Sequence, residues 1–471
     1  MLACGSWRPG ATSTQAGGQS AAGATSVVVR VATFNVEDVR TEDLMNPDHP
    51  RLRKLAEVIQ RIRPNIILLN EIAYDQKGMP GAGTGRAAGD DEGQNGRRFA
   101  ENFLARAQAT DVKPLLMTAF MAPSNTGLFS GFDLDNDGKA TSSYPTPEGA
   151  KPDGSPGAQN SGGRAYGNDC FGFGTFPGQY GMALLVDSRL TIDADAVRTF
   201  QLFPWDYMPA NVMPADDASG GKGAWYTAEE RAVLRLSSKS HWDVPVKLPG
   251  ADARGGGVLR VLCSHPTPPA FDGPEQRNKR RNHDEIRFWR DYIDNAPYIV
   301  DDKGVVGGII MAPKPGGLSG KAATKEWGPR LGVETHFVVL GDLNADPKDG
   351  DSFQSPIKNL LFRSPHVNSE FVPVSDITVE GLDNSDTSRF KLRVDYVLPS
   401  KTVRIVQAGV WRQPPTTDAI VGGGSGGSGG VGRTAGASSA FPSDHYPVWM
   451  DIEVPLGGAG GAGGAGETVE K

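Results

Sequence analysis

The side chains best suited to chemistry stand where apolar, strand-like runs stop. Asn35 ends Val31-Ala32-Thr33-Phe34, and Glu71 follows Ile66-Ile67-Leu68-Leu69-Asn70, a stretch with no structural use for a carboxylate. His265 follows Val261-Leu262-Cys263-Ser264 and precedes Pro266-Thr267-Pro268-Pro269, so the strand must end there and leave an imidazole at its mouth. In Val338-Val339-Leu340-Gly341-Asp342-Leu343-Asn344 a glycine gives the backbone clearance, and a carboxylate and an amide then project together. Asp395 lies within Arg393-Val394-Asp395-Tyr396-Val397, and Asp444-His445 stands between Ser443 and Tyr446-Pro447 ahead of the final apolar run. Each has a bland reading by itself: a solvated Glu, a structural His, an Asp serving turn donors. In this order at successive strand ends, they form one set of hard oxygen donors and imidazoles, the groups that hold small divalent cations and move protons.

Such a set needs a rigid frame. Strand signals recur at residues 27–36, 65–72, 181–186, 258–264, 336–343, 394–398, 403–411 and 446–454, several of them continuous apolar runs of the kind covered on both faces. A helix is predicted from Leu52, Leu55, Ile59 and Ile62, stopped by Pro64. A second spans about 275–294, with Ile286, Trp289 and Ile293 on one stripe, and a third about 97–107. Long inserts at 75–96, 122–179, 204–230, 301–330 and 412–440 separate these elements and read as functional or disordered loops. The Gly/Ser stretch 422–430 reads as a flexible loop inside one unit, because strand-like sequence resumes beyond it. The mixture implies an α/β layered fold with one core drawn from residues 26–455, between Gly-rich disordered tails at 1–25 and 456–471.

Further candidates carry weaker signals. Lys239 and His241, in Ser238-Lys239-Ser240-His241-Trp242, could meet an anion, or belong to an amphipathic strand. Arg277, Lys279, Arg280, Arg281, Arg287 and Arg290 make one cationic helical face; such a face is usually solvated, but electrostatic steering of an anionic substrate would need something like it. Asp133, Asp135 and Asp137, with Gly138, match the first half of a calcium loop, but Tyr144 stands where its bidentate Glu belongs; a structural Ca²⁺ there competes with an ordinary turn.

A net charge of −7 over 471 residues gives no global basic field, so binding of nucleic acid would need a local cationic surface or a bound metal. No apolar run reaches transmembrane length. Three cysteines are too few for a disulfide framework, and Cys263 reads as a core residue. The start, Met1-Leu2-Ala3-Cys4-Gly5, looks like the end of a lipoprotein signal without its preceding regions; export with a lipid anchor at Cys4 competes with a chance Cys.

The ordered set of strand-end residues resembles the endonuclease/exonuclease/phosphatase superfamily, the deoxyribonuclease I-like fold, from about residue 29 to 454. His265-Pro266-Thr267-Pro268-Pro269 and Arg281-Asn282-His283-Asp284-Glu285 look like a bacterial, often exported branch of it. The resemblance implies a four-layer α/β sandwich, two packed mixed β-sheets flanked by helices. It implies a phosphoesterase that uses Mg²⁺ or Mn²⁺, most readily a nuclease; a phosphatase, a sphingomyelinase-like phospholipid hydrolase and a catalytically silent phosphate-binding module are the alternatives. Asn35, Glu71 and Asp444 would hold the metal. His445, oriented by Asp395, would deprotonate or orient water, His265 would bond a phosphate oxygen or assist the leaving group, and Asp342 with Asn344 would position nucleophile and phosphate. Whether Asp342 or His445 is the base stays open, and Lys239, His241, Arg281 and Asn282 are weaker substrate contacts. The partner is a phosphate ester, nucleic acid among them, and a monomer is the default.

Overall fold

The structure is a computed structural model describing residues 26–76, 92–214, 224–249, 257–309, 335–416 and 441–456. Cys4, the N-terminal tail, the Gly/Ser stretch 422–430 and residues 457–471 lie outside the described residues, as do parts of several inserts.

Continuous apolar runs are buried on both faces, as expected for strands sandwiched between layers. Twelve strands are described: β1 Ser26–Val39, β2 Ile66–Ile72, β3 Met117–Phe120, β4 Met182–Asp187, β5 Thr191–Ile192, β6 Arg198–Thr199, β7 His241–Lys247, β8 Val258–Ser264, β9 His336–Asp342, β10 Asp395–Pro399, β11 Arg404–Val410 and β12 Val448–Pro455. They form two mixed sheets, one ordered β11-β12-β1-β2-β4-β3 and the other β10-β9-β8-β7-β5, with β6 also on β7. The parallel pairs are β1 with β2 and β8 with β9, and each sheet is otherwise antiparallel.

Alternation along the second sheet explains the layering. Leu259, Val261 and Cys263 of β8, Val338 and Leu340 of β9 and Val397 of β10 join the core shared with the first sheet. Leu262, Phe337, Val339, Tyr396 and Leu398, one residue out of phase, pack instead against Ile286, Phe288, Trp289, Tyr292 and Ile293 of the long helix. That helix is α6, Arg277–Ile293, after α1 Thr41–Leu44, α2 Pro50–Ile62, α3 Asn95–Phe99, α4 Ser161–Asn168 and α5 Ala228–Val233. In α2 the His49 ring caps Leu52 N, Pro50 stands at the first turn, and Arg63 ends the helix in the left-handed region. The third expected helix is shorter than read, α3 followed by a π-turn at Ala100–Leu104. The architecture is that of the deoxyribonuclease I-like fold: two mixed sheets with flanking helices.

Gly341, near the end of β9 and beside the end of the parallel strand β8, has φ +144°, and an added Cβ there would lie 1.9 Å from the Ser264 carbonyl oxygen. The obstructing oxygen belongs to the backbone and the position of a Cβ is fixed by its own main chain, so no side-chain rotation relieves the clash. Gly341→Ala is expected to destabilise the protein by more than about 1 kcal/mol, read as a clear fall in the melting temperature by circular dichroism; an unchanged melting temperature would contradict the close approach.

Candidate active site

Adjacent strand ends in both sheets bring the expected residues to one place. Asn35 and Glu71 lie at the ends of β1 and β2, where residues 36–38 of β1 bulge opposite Glu71 alone. His265 follows β8, Asp342 ends β9, and Asp395 opens β10 opposite it. The Asn35 Nδ2 donates to Glu71 Oε1 at 3.0 Å and to Asp342 Oδ2 at 3.1 Å. His265 Nε2 lies 3.4 Å from Asp342 Oδ2 and 4.0 Å from Glu71 Oε1, and His445 Nε2 is 3.8 Å from Asp342 Oδ2. His445 Nδ1 meets Asp395 Oδ2 at 2.8 Å, while the Asp395 backbone N–H donates to Thr387 Oγ1. Asp342 Oδ1 accepts the Asn344 N–H, and Asn344 Nδ2 donates to the Pro266 carbonyl, which ties the His265 loop to β9. Asp444 lines the same cavity, its N–H donating to Glu37 Oε2.

The charges are uneven. Burial raises Glu71 to about 7, and the neighbouring Asp444 carboxylate pushes the same way. Burial would also raise Asp342, but the His445 and His265 imidazoles and the Asn35 amide outweigh it and hold the carboxyl at about 2. Burial, with the Lys239 ammonium beside it, lowers His265 to about 4, so it is neutral near pH 7. His445 goes the other way: Asp395 and Asp342 overcome its desolvation and keep the ring protonated. Both ring nitrogens of His265 are buried without a hydrogen-bond partner, an uncommon state for a polar group in a folded chain.

Glu71 and Asp444 fit a hard divalent cation better than the tighter group of Asp342, Asp395 and His445, whose ligand atoms lie within 4.8 Å of one another. In the tighter group the positive imidazole already answers the carboxylates, whereas the Asp444 charge raises the pKa of Glu71, a repulsion that a cation held by both would relieve. Asn35 has a different part from the one expected: its Oδ1 accepts the Glu37 N–H, and its amide nitrogen braces Glu71 and Asp342.

The four weaker contacts separate. Lys239 is buried and lines the cavity; its carbonyl accepts the Asn125 N–H, while its ammonium makes no hydrogen bond among the described residues, and burial lowers its pKa against the pull of Glu285, Glu71 and Asp342. Arg281 lines the cavity, but its guanidinium is spent on the carbonyls of Leu236, Phe171 and Arg235. Two expectations are corrected. His241 is enclosed by Phe288 and Trp289 and held by Ser237 Oγ and the Glu285 carbonyl, and Asn282 Nδ2 clamps the Thr267 and Leu343 carbonyls. The rest of the cationic face is also structural: Arg287 and Arg290 pair with Asp291 and Asp294, Arg277 holds the Leu134 carbonyl and Lys279 pairs with Asp351. At the calcium-like loop Asp133, Asp135 and Asp137 cluster, but their carboxylates accept the N–H groups of Asp137, Gly138 and Lys139, the bonds of a turn.

Three contributors went unread in the sequence. Asn70 accepts from Thr33 Oγ1 and the Asp342 N–H and donates to the Ser264 carbonyl. Glu37 holds the Asp444 backbone, and Phe390 packs edge-on against His445 with ring centroids 5.3 Å apart. Asn70 had a signal, a polar residue inside an otherwise apolar strand.

The family model described as Endonuclease/Exonuclease/phosphatase family matches residues 32–445. No curated protein matches the chain. Among solved structures, an endonuclease/exonuclease/phosphatase from Beutenbergia cavernae is similar at 16% identity and TM-score 0.42, covering 92% of this chain and 72% of that one. The human Nocturnin catalytic domain with bound sulfate anion is similar at 12% identity and TM-score 0.40, covering 90% and 94%. A family protein from Bacteroides vulgatus is similar at 11% identity and TM-score 0.39, covering 91% and 99%.

Glu71 and His445 both bind protons more tightly in the fold than in the unfolded chain, so each contributes stability that fades as pH rises through its folded pKa. Below about pH 6.5 the lowered pKa values of His265 and His241 act in the opposite sense, so in EDTA the melting temperature is expected to fall between pH 6.5 and 8, and divalent cation to restore it most at the upper end. Cation affinity should weaken by up to about tenfold for each pH unit below about 7, as Glu71 takes up its proton. Calorimetric titrations at pH 5.5, 6.5 and 7.5 measure this; an affinity indifferent to pH would remove Glu71 from the cation site.

Proposed function

The chain belongs to the endonuclease/exonuclease/phosphatase family, whose members are hydrolases acting on phosphoesters, and from that premise we propose that it hydrolyses phosphodiester bonds as a metal-dependent nuclease. The observation that carries this reading is the linked cluster of Glu71, Asn35, Asp342, His265 and His445, in which each side chain lies within 4.0 Å of another.

Glu71 and Asp444 would hold Mg²⁺ or Mn²⁺, with Asn35 steadying Glu71. A cation there, when bound, supplies Lewis acidity toward the phosphoryl group and neutralises its charge. The protein's own groups carry the remaining work. Asp342 stays ionised between two imidazoles and is the acceptor for the attacking water's proton. His445 is held positive by Asp395 and donates to a phosphoryl oxygen as negative charge grows there. His265, neutral and 3.4 Å from Asp342, has an N–H to give to the phosphate or the leaving oxygen. Lys239 adds a buried positive charge on the same side, and Asn344 fixes the turn that holds Asp342 in register.

Purified protein is expected to hydrolyse bis-p-nitrophenyl phosphate and to nick plasmid DNA with Mg²⁺ or Mn²⁺ present, and to lose both activities in EDTA. Asp342→Asn and His265→Ala should each lower turnover by about two to four powers of ten, the span of a lost acid/base group, in variants shown by circular dichroism to be folded at the assay temperature. Full turnover in EDTA, or in either variant, would reject the assignment. Release of inorganic phosphate from monoesters without diester cleavage would point to a phosphatase instead.

A further inference from the structure

The reading of the chain as a phosphodiesterase leaves the partner undefined, and the cavity walls narrow it. The space around Glu71, His265, Asp342, Asp444 and His445 has a volume of about 1320 Å³, and Phe173, Phe271 and Phe390 line it. All three are large exposed apolar residues, with Phe271 95% exposed. Resting on the phosphodiesterase reading, we propose that Phe271 and Phe390 are stacking platforms on which unpaired bases of a single-stranded nucleic acid lie on either side of the scissile phosphate.

Phe271 is not exposed because its loop is loose. Thr267 N–H donates to the buried Glu285 carboxylate at 2.6 Å, the Ala270 carbonyl accepts from Asn278 Nδ2, and the Asp272 carboxylate accepts the N–H groups of Asn278 and Lys279. The backbone on both sides of Phe271 is thereby pinned to the start of α6. Phe271 itself adopts φ +59°, a left-handed conformation that a bulky residue adopts only at a cost. A strained, pinned backbone holding a solvated aromatic ring six residues from His265 is the kind of outlier that points to a ligand rather than to packing. Phe390 is fixed by a different segment, where the Arg389 N–H donates to the Asp444 carbonyl and the ring stands edge-on to His445.

Charge decides between strand states. Duplex binding relies on cations that track the phosphates, but of those lining the cavity Arg164, Arg277 and Arg281 hold backbone carbonyls and Lys279 pairs with Asp351, which leaves the buried Lys239 beside the cluster, in a chain of net charge −7. Ring contacts must then supply much of the affinity, and ring faces reach only bases that are not paired and stacked. The volume exceeds the roughly 300–1,000 Å³ of ordinary small-ligand pockets, enough for more than one nucleotide.

The test compares Phe271→Ala, Phe271→Trp and Phe271→Leu in the full chain with Mn²⁺, on a labelled single-stranded oligonucleotide and on the same strand with abasic positions beside the cleaved bond. Phe271→Ala should raise KM for the base-bearing strand about tenfold, within the range for a lost base–aromatic stack, and have little effect on KM for the abasic strand. Phe271→Trp should restore KM and Phe271→Leu should not. Equal losses on both strands, or full rescue by leucine, would overturn the inference. Loss of binding to phosphatidylcholine vesicles with oligonucleotide KM intact would also overturn it, assigning the Pro268-Pro269-Ala270-Phe271 tip to a lipid surface. Absence of any diester cleavage by the unaltered protein would bring down both readings, whereas cleavage that ignores Phe271 brings down only this one.

Discussion

One buried amide sets the relation between the two sheets at the end where the chemistry is concentrated. Asn70, near the end of β2, accepts from Thr33 on β1, accepts the Asp342 N–H from β9 and donates to the Ser264 carbonyl of β8. Sheets that pack through apolar side chains alone can slide by fractions of a residue, because dispersion contacts have little directionality. Hydrogen bonds have direction, and an unmet one in the interior is expensive. Asn70 therefore fixes where Asp342 and His265 stand relative to Asn35 and Glu71, and Gly341, by letting β9 pass close to Ser264, allows that contact to form.

Local backbone strain collects around the same point. Glu37, Asp38, Glu71 and Asn344 all have positive φ without being glycine. The bulge of residues 36–38 opposite Glu71 takes β1 out of its ladder, and the Glu71 carboxylate accepts the Asp38 N–H across it. The turn after Asp342 is closed by the Asn344 N–H on the Asp342 carboxylate. These conformations persist because the surrounding core over-determines them, with Phe34, Leu68, Leu69 and Leu340 fully buried immediately behind.

Much of this was legible in the residues. Runs such as Ile66-Ile67-Leu68-Leu69 are strands because no amphipathic alternative exists for them, and a carboxylate or imidazole directly after such a run must lie at a sheet edge. The helix stripe of Ile286, Trp289 and Ile293 likewise had one face to bury. What the sequence hides is relational. The strand β7 was not clear, since His241-Trp242-Asp243 looks polar, yet Asp243 is paired with Arg260 of the neighbouring β8 and accepts a hydrogen bond from the Tyr292 hydroxyl of α6. Arg281 and Asn282 looked like substrate contacts because their partners are backbone carbonyls, which no residue type announces. Asn35 could be placed at the site, but not the direction of its amide, because that depends on Glu37 turning back onto it.

The arginines of α6 that hold loop carbonyls have a consequence for how such a rim can vary. Arg277 binds the carbonyl of Leu134, and Arg281 binds those of Phe171, Arg235 and Leu236. A guanidinium that grips main-chain oxygen is blind to the side chain carried at that position, so the walls can exchange residues freely while keeping their anchorage. Specificity could therefore be rewritten on the loop surface without disturbing the rigid floor beneath, the helix serving as a rack to which interchangeable panels are fastened.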